Sequence, residues 1–329
     1  MQFCANIRRV SCTSITSLLV QDTSARLFDA VSAEPIVSVP PQLSTYGVVD
    51  SAMDSVGCKL YVLLSNGDIH SWQLSRSVPA ALADVWQQHR REKLSCIQFV
   101  PAGTFPNACA VSLGLCDDEA AAPDLVATGT ELGDLLFMLS ASGQLVMRIC
   151  VHKLTTVTQV VADPSAHRLL TVTDTGVKLW GLQRGMKMLR ASGMAASVTC
   201  VAILGPHFVV GTSSGSIWFL QRADGAEQAT AGLMHRARVN SLHANERLQH
   251  AVSASTDGCI KVWSAAGQLA CTLLIGRAVA CACFLDDSGN LACGAGSELL
   301  QVRHDMFDTV SEVVHDDKEG GKCAALCCG

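Results

Sequence analysis

The sequence predicts an all-β chain that folds into a propeller of seven four-stranded antiparallel blades. The first observation behind this prediction is a turn that recurs in one setting, at Gly67, Gly133, Gly176, Gly215, Gly258 and Gly296. The gaps between these glycines are 66, 43, 39, 43 and 38 residues, and four of them lie near the period of about 40–45 residues typical of propeller blades. A similar turn and strand at residues 21–29 precede Gly67 by about one period and bring the number of units to seven.

The second observation is the pattern of short apolar runs within each unit. Residues 60–64, 169–173 and 208–211 are rich in β-branched side chains and are bounded by Gly, Asp, Asn or Ser. The turn residues tolerate the positive φ that a tight hairpin requires. No long stretch keeps a helical period, although residues 79–93 are compatible with a helical turn as well as with an outer strand.

The repeat is clearest at residues 251–264, AVSASTDGCIKVWS, which predict a strand, a turn at residues 256–258 and a second strand. This stretch resembles the core of a WD40 repeat. The resemblance implies that four residues form a buried hydrogen-bonded network in the sixth blade, namely His235, Ser255, Asp257 and Trp263. Such a network satisfies polar groups inside a blade and locks its turn to its loop, so a structural role is expected for all four residues.

The other units match this pattern less completely. His152 and Trp180 remain in the fourth unit and Trp72 in the second. Met138 and Gln301 stand at the tryptophan position of the third and seventh units.

One domain is expected to take up most of the chain of 329 residues, 49% of which are hydrophobic. The predicted propeller spans residues 1–310, with a loop insertion at residues 101–124 in the third blade and a flexible tail at residues 311–329. The Pro, Gly, Ala and acidic content of the insertion indicates a loop outside the sheet. The N-terminal residues are predicted to add an outer strand that closes the ring against the last blade.

Charge and motifs narrow the classes of function. A net charge of −5 argues against a nucleic-acid interface, and no segment has the roughly 18 apolar residues needed to span a bilayer. The N-terminus lacks the apolar segment of a secretory signal, which predicts a cytoplasmic protein. There is no nucleophile elbow, Gly-rich phosphate loop or HExxH motif, so neither enzyme activity nor a cofactor is predicted. The acidic, histidine-containing stretch at residues 304–317 is interpreted as a solvated tail rather than a metal site.

The 16 cysteines are interpreted as reduced. Most stand singly in apolar strands, where a thiol behaves as a small hydrophobe, and a chain without a secretory signal lies in a reducing compartment. Cys323, Cys327 and Cys328 differ, because they follow glycines in the predicted tail. They are candidates for acylation and weak membrane attachment, and an unmodified tail is the alternative.

A non-catalytic scaffold that binds other proteins is the predicted function. Partners of propellers usually contact the loops at one end of the central channel. Trp218 follows Gly215 by three residues and precedes the position equivalent to Trp263 by two, so it is a candidate partner contact. Phe137 and His70 occupy comparable places, and packing of Trp218 between the fifth and sixth blades is the alternative.

The sixth and seventh units together are similar to part of the large WD-repeat proteins of motile cilia. The shared features are a turn and Trp263, then GQL, a CFL strand, GNL and ELL. This resemblance implies docking into a ciliary or cytoskeletal assembly and a location in the cilium or axoneme. The alternative is the substrate receptor of a ubiquitin ligase, although the W-D-x-R motif of that class is missing after both Trp180 and Trp263.

Overall fold

The structure is a computed structural model. It describes the backbone of residues 9–14, 17–21, 25–29, 35–38 and 46–304, except residues 57, 75–80, 88–92, 118–120, 224–226 and 230–233. The tail cysteines Cys323, Cys327 and Cys328 lie outside the described residues.

Consecutive strands pair antiparallel into small sheets, each built from one stretch of sequence. The first three sheets contain β1 (Arg9–Ser14), β2 (Ser17–Gln21), β3 (Ala25–Asp29) and β4 (Pro35–Ser38); β5 (Val48–Met53), β6 (Lys59–Leu64), β7 (Ile69–Gln73) and β8 (Ala81–Trp86); and β9 (Leu94–Val100), β10 (Leu125–Thr130), β11 (Asp134–Leu139) and β12 (Leu145–Cys150). The next three contain β13 (Gln159–Asp163), β14 (Arg168–Thr173), β15 (Gly176–Gly181) and β16 (Lys187–Gly193); β17 (Val198–Leu204), β18 (His207–Thr212), β19 (Ile217–Gln221) and β20 (Glu227–Ala229); and β21 (Val239–Asn245), β22 (His250–Ser255), β23 (Cys259–Ser264) and β24 (Leu269–Leu274). The last contains β25 (Cys281–Phe284), β26 (Leu291–Ala295) and β27 (Glu298–Val302).

The prediction of seven four-stranded blades is wrong. The described residues form six four-stranded blades, and β25–β27 form a sheet of only three strands. Residues 9–12 do not supply the outer strand predicted to close the ring, because β1 pairs with β2 as the first strand of its own sheet, with Val10 opposite Val20. β1 instead packs beside β25, so the first and last sheets meet through their first strands.

Five of the six recurring glycines lie between the second and third strands of their sheets, and Gly176 is the first residue of β15. Gly258 has a φ of 84° in the turn between β22 and β23. A side chain there would adopt a strained left-handed conformation and would also meet the backbone of Arg277, with a Cβ only 3.2 Å from its nitrogen. The turn therefore requires glycine for two independent reasons.

Side chains at one position of the first strands connect neighbouring sheets. The Asp50 carboxylate accepts a hydrogen bond from Ile97 N at 3.0 Å, and Ser241 Oγ accepts one from Ala282 N at 3.0 Å. Gln159 both donates to Val201 O and accepts from Val201 N, each at 3.0 Å. These bonds satisfy polar groups between blades and hold the blades in register.

Cysteines occupy the same position in the intervening sheets. Cys96 lies opposite Gly129, and Cys200 lies opposite Gly211. A Cβ on either glycine would come within 2.8 Å of the cysteine sulfur. The glycines thus make room for buried thiols, and burial raises the pKa of Cys200 to about 12, so this thiol stays protonated and acts as an apolar group.

The insertion between β9 and β10 is folded against the core. It contains a 3-10 turn at Ala102–Thr104 and the helix α1 (Asn107–Ser112). Phe105 and Cys109 are buried in the same cluster as Phe137, and the Phe105 ring meets the Phe137 ring edge-on at a centroid distance of 5.6 Å. The insertion therefore covers apolar side chains of the third blade, which its composition did not reveal. Within the described ranges, no helix has the length and apolar character to cross a membrane.

Candidate functional site

The sixth blade contains a buried chain of hydrogen bonds that links a histidine, a serine, an aspartate and a tryptophan. His235 Nδ1 lies 3.0 Å from the Asp257 carboxylate, and His235 Nε2 lies 2.8 Å from Ser253 Oγ. The Trp263 indole N–H donates to the same hydroxyl oxygen at 2.8 Å. Burial lowers the pKa of His235, although Asp257 opposes this effect, so a neutral imidazole with Nδ1 donating to Asp257 fits the geometry.

The serine in this chain is Ser253 and not the predicted Ser255. Ser255 ends β22 beside the turn, where its hydroxyl donates to Ala237 O and accepts from Asp257 N, both at 3.1 Å. Ala251 pairs with Trp263 and Ser253 pairs with Lys261, so the Ser253 side chain lies next to the indole. The predicted residue is therefore wrong by two positions, a shift that keeps the same face of the strand.

The fourth blade has a shorter version of the network. Thr171 Oγ1 lies 2.9 Å from His152 Nε2 and accepts the Trp180 indole N–H at 2.9 Å. Burial and the nearby Lys178 cation lower the pKa of His152 to about 4. Lys178 donates to Val151 O at 2.8 Å. A cation therefore stands close to this histidine, whereas a carboxylate contacts His235 in the sixth blade.

The second and third blades each retain one member of the pair formed by the hydroxyl residue and the tryptophan. Trp72 occupies the tryptophan position of the second blade, but Val62 replaces the hydroxyl residue, and the buried Trp72 indole N–H has no partner among the described residues. Thr128 occupies the hydroxyl position of the third blade, but Met138 replaces the tryptophan, and Thr128 Oγ1 is likewise unpartnered within the described ranges. In each of these two blades one residue of the network is present and its hydrogen-bond partner is replaced by an apolar residue.

Two of the three predicted partner contacts are buried. Phe137 is fully buried against Phe105, because it lies one residue further from its turn than His70 does and so faces the other side of its sheet. His70 is only 4% exposed. Trp218 is half-buried, and it packs against side chains of the fourth and fifth blades rather than between the fifth and sixth. Of the three, Trp218 alone reaches the surface appreciably.

Two leucines that the sequence analysis missed are exposed at one end of the propeller. Leu132 lies in the turn between β10 and β11 and is 55% exposed; Leu154 lies between β12 and β13 and is 85% exposed. The Leu154 N–H donates to Leu132 O at 3.1 Å, so the residues are adjacent. Leu154 has a φ of 52°, an uncommon value for leucine. These two residues are called the leucine pair below.

The turns between second and third strands and the connections between sheets lie at the same end of the ring, because successive strands are antiparallel. We call this the leucine-pair end. Tyr46, Val49 and Met234 are also exposed there. Among the 11 exposed large apolar side chains of the described residues, five are thus at this end, whereas Val56 is at the opposite end and the others lie on outer strands. The signal for Leu132 was an apolar residue in a turn that is otherwise polar, as at Asn66 or Asp257.

Three comparisons with known proteins agree with this architecture. Residues 231–264 match the family model WD40, described as WD domain, G-beta repeat. Human WD repeat-containing protein 90 is 29% identical over 119 residues, a match that covers 31% of this chain and 7% of that much longer protein. The crystal structure of RRP9 WD40 repeats superimposes with a TM-score of 0.68 at 17% identity, covering 90% of this chain and 88% of that one. The sixth blade therefore matches the WD40 repeat, and the chain has the fold of a WD40-repeat β-propeller.

Proposed function

We propose that this protein is a non-catalytic scaffold that docks a partner protein at the leucine-pair end of the propeller. The WD40-type fold is one that commonly serves protein interaction. The observation that carries the proposal is the leucine pair, which exposes two large apolar side chains side by side. Exposed apolar groups next to one another are typical of interaction sites rather than of inert surface.

The backbone at Leu154 adds to this argument. A left-handed conformation costs a leucine roughly 1–2 kcal/mol, and the residue is 85% exposed, so burial of its side chain does not offset the cost. The N–H bond to Leu132 O holds the loop in that conformation and keeps both side chains presented. A binding role explains why a leucine is both strained and exposed at this position, whereas a contribution to folding stability does not.

Polar groups surround the leucine pair. Lys93 and Glu131 form an exposed ion pair with 3.8 Å between Nζ and Oε2, and the Thr156 hydroxyl donates to Glu131 O at 3.4 Å. An apolar centre with a polar rim is the usual anatomy of a protein interface. The partner surface is therefore expected to present an apolar side chain that seats on Leu132 and Leu154.

The buried histidines support a scaffold rather than an enzyme. His235 and His152 are bonded to neighbouring side chains inside their blades, and burial lowers the pKa of both. Neither imidazole faces solvent, so neither is placed to exchange a proton with a substrate. Their bonds instead stabilise the blades that carry the docking surface.

The assembly we propose is ciliary or cytoskeletal, with the protein in the cytoplasm or axoneme. The resemblance of the sixth and seventh units to WD-repeat proteins of motile cilia supports this proposal. A substrate receptor of a ubiquitin ligase is the alternative, and the partner list distinguishes the two. Weak membrane attachment through acylated Cys323, Cys327 and Cys328 also stays a proposal.

Proximity labelling in the source cells tests this function. The full-length protein is compared with the double variant Leu132→Asp/Leu154→Asp and with a matched control, Leu82→Asp, which changes a leucine 42% exposed on the outer strand β8. A set of neighbours lost only from the double variant is expected. Axonemal proteins in that set would support the ciliary assembly, and ligase subunits would favour the alternative. An unchanged neighbour list, with both variants folded, would overturn docking at the leucine pair.

A further inference from the structure

We propose that the free edge of β16 is a second docking site, which binds an extended acidic segment of a partner protein as an added strand. The site lies on the outer edge of the fourth blade, away from the leucine-pair end. It goes beyond the proposed function, because it depends on a different surface and a different chemistry.

The outer edge of β16 is long and exposed. β16 spans seven residues and, among the described residues, pairs with β15 alone, from Lys187 opposite Gly181 to Gly193 opposite Gly176, with a register shift at Leu189. Every residue of β16 except Ser192 is exposed. β16 therefore offers backbone donors and acceptors to an incoming strand on both sides of the register shift at Leu189.

β16 lies in a stretch of sequence that carries positive charge. Residues 175–223 contain no Asp or Glu, although the whole chain has a net charge of −5. Two of the cations in this stretch are already engaged, since Lys178 donates to Val151 O and Arg222 pairs with Asp163. The other three are Arg184, Lys187 and Arg190; all are exposed, and none forms an ion pair with another described residue. The edge is thus locally basic in an acidic protein.

Exposed apolar side chains lie between these cations. Lysine on an edge strand commonly prevents aggregation, and charge alone suffices for that purpose. β16 also exposes Met188 and Leu189, at 47% and 45%. Two adjacent exposed apolar residues make the edge more adhesive, which is the opposite of protection. Their presence between Lys187 and Arg190 favours a binding edge.

The edge, its positive charge and its exposed apolar side chains together define the chemistry of the ligand. An extended segment of about five to seven residues matches the length of β16 and supplies main-chain hydrogen bonds. Carboxylates on that segment complement Arg184, Lys187 and Arg190, and apolar side chains cover Met188 and Leu189. Because the charges are exposed, the binding is expected to weaken with ionic strength.

Fluorescence anisotropy with the full-length protein tests the site. The probe is a labelled peptide of alternating Glu and Val, and the matched peptides are a Lys–Val version and a Glu–Val version N-methylated at alternate residues. We expect the Glu–Val peptide to bind, the other two to bind at least about tenfold more weakly, and the affinity to fall when salt is raised. Equal binding of the Lys–Val and Glu–Val peptides would overturn the proposal.

Variants locate the bound peptide. Arg184→Glu/Lys187→Glu/Arg190→Glu is expected to weaken binding at least about tenfold, whereas Leu132→Asp/Leu154→Asp is expected to bind as the unchanged protein does. The opposite pattern would assign the peptide to the leucine pair and overturn the edge site without harming the first proposal. Hydrogen exchange on the unchanged protein gives a readout free of folding effects: peptide must protect the amides of residues 187–193. A single-stranded oligonucleotide or anionic vesicles that displace the peptide and protect the same amides would overturn an acidic peptide as ligand.

Discussion

The indole N–H of Trp263 and the hydroxyl of Ser253 are joined by a hydrogen bond of 2.8 Å inside the sixth blade. The same oxygen lies 2.8 Å from His235 Nε2, so one hydroxyl connects β22, β23 and the segment that precedes β21. His235 in turn contacts Asp257 in the turn. The blade is therefore held together at a point where Trp263 is fully buried.

Replacing Ser253 by alanine is expected to destabilise the protein. The change leaves both the Trp263 indole N–H and His235 Nε2 buried without a partner, and an unsatisfied buried polar group costs about 1–3 kcal/mol. We expect the free energy of unfolding to fall by about 2–4 kcal/mol. Urea denaturation followed by tryptophan fluorescence measures the change.

The matched control for Ser253→Ala is Ser255→Ala in the same strand. Among the described residues the Ser255 hydroxyl bonds to Ala237 O and Asp257 N beside the turn, so a smaller loss of about 1 kcal/mol is expected. A larger loss for Ser255→Ala than for Ser253→Ala would contradict the assignment of the network to Ser253.

Replacing Thr128 by valine is expected to stabilise the protein. Thr128 is fully buried, and its hydroxyl finds no hydrogen-bond partner within the described residues, since Met138 stands where Trp180 and Trp263 stand in other blades. Valine keeps the shape and removes the unsatisfied group, so a gain of about 1 kcal/mol is expected. Thermal unfolding measures it. Thr171→Val is the control at the equivalent, fully bonded position, and it should lower the melting temperature; a drop of equal size for Thr128→Val would show that Thr128 does have a partner.

Stability is expected to decrease in mild acid because of His152. Burial and the Lys178 cation lower its pKa from the ordinary 6.5 to about 4 in the folded protein. Between these pH values His152 is protonated in the unfolded chain and neutral in the folded chain. The free energy of unfolding therefore falls as the pH drops from about 6.5 to about 4, by up to about 1.4 kcal/mol per pH unit. The contribution is fully present above pH 6.5. His152→Gln, which does not titrate, should show a shallower decrease, and parallel curves for the two proteins would contradict the lowered pKa.

Breaking the ion pair between Arg222 and Asp163 is expected to be costly. Arg222 Nε donates to Asp163 Oδ2 at 2.7 Å, which joins the fifth blade to the fourth, and the Asp163 side chain is 1% exposed. Arg222→Ala leaves this carboxylate buried and unpaired, so a loss of about 3–5 kcal/mol is expected by chemical denaturation. The double variant Arg222→Met/Asp163→Asn removes both charges and should recover part of the loss. No recovery would mean that packing of the Arg222 stem, rather than its charge, holds the two blades.

The sequence by itself determined the features that depend on a few neighbouring residues. Gly258 marks a turn that requires positive φ, and the alternating runs around it form the strands β22 and β23 as predicted. The assignment of His235, Asp257 and Trp263 to one network came from the resemblance to a WD40 repeat, since His235 lies 22 residues before Asp257 in the chain. The spacing of the turns did not predict that the last sheet has three strands among the described residues, because the repeat marks where a unit lies and not how many strands it contains.

Only the tertiary structure decided which side chains meet and which face solvent. Ser253 and Ser255 share a strand face, and the register of β22 against β23 selects the one that reaches Trp263. Phe137 is buried because the insertion supplies Phe105 to cover it. Leu154 is exposed because a backbone bond to Leu132 holds its loop outward. Each outcome depends on strand register or on packing between different elements, and the local pattern of residues does not determine the free energy of such contacts.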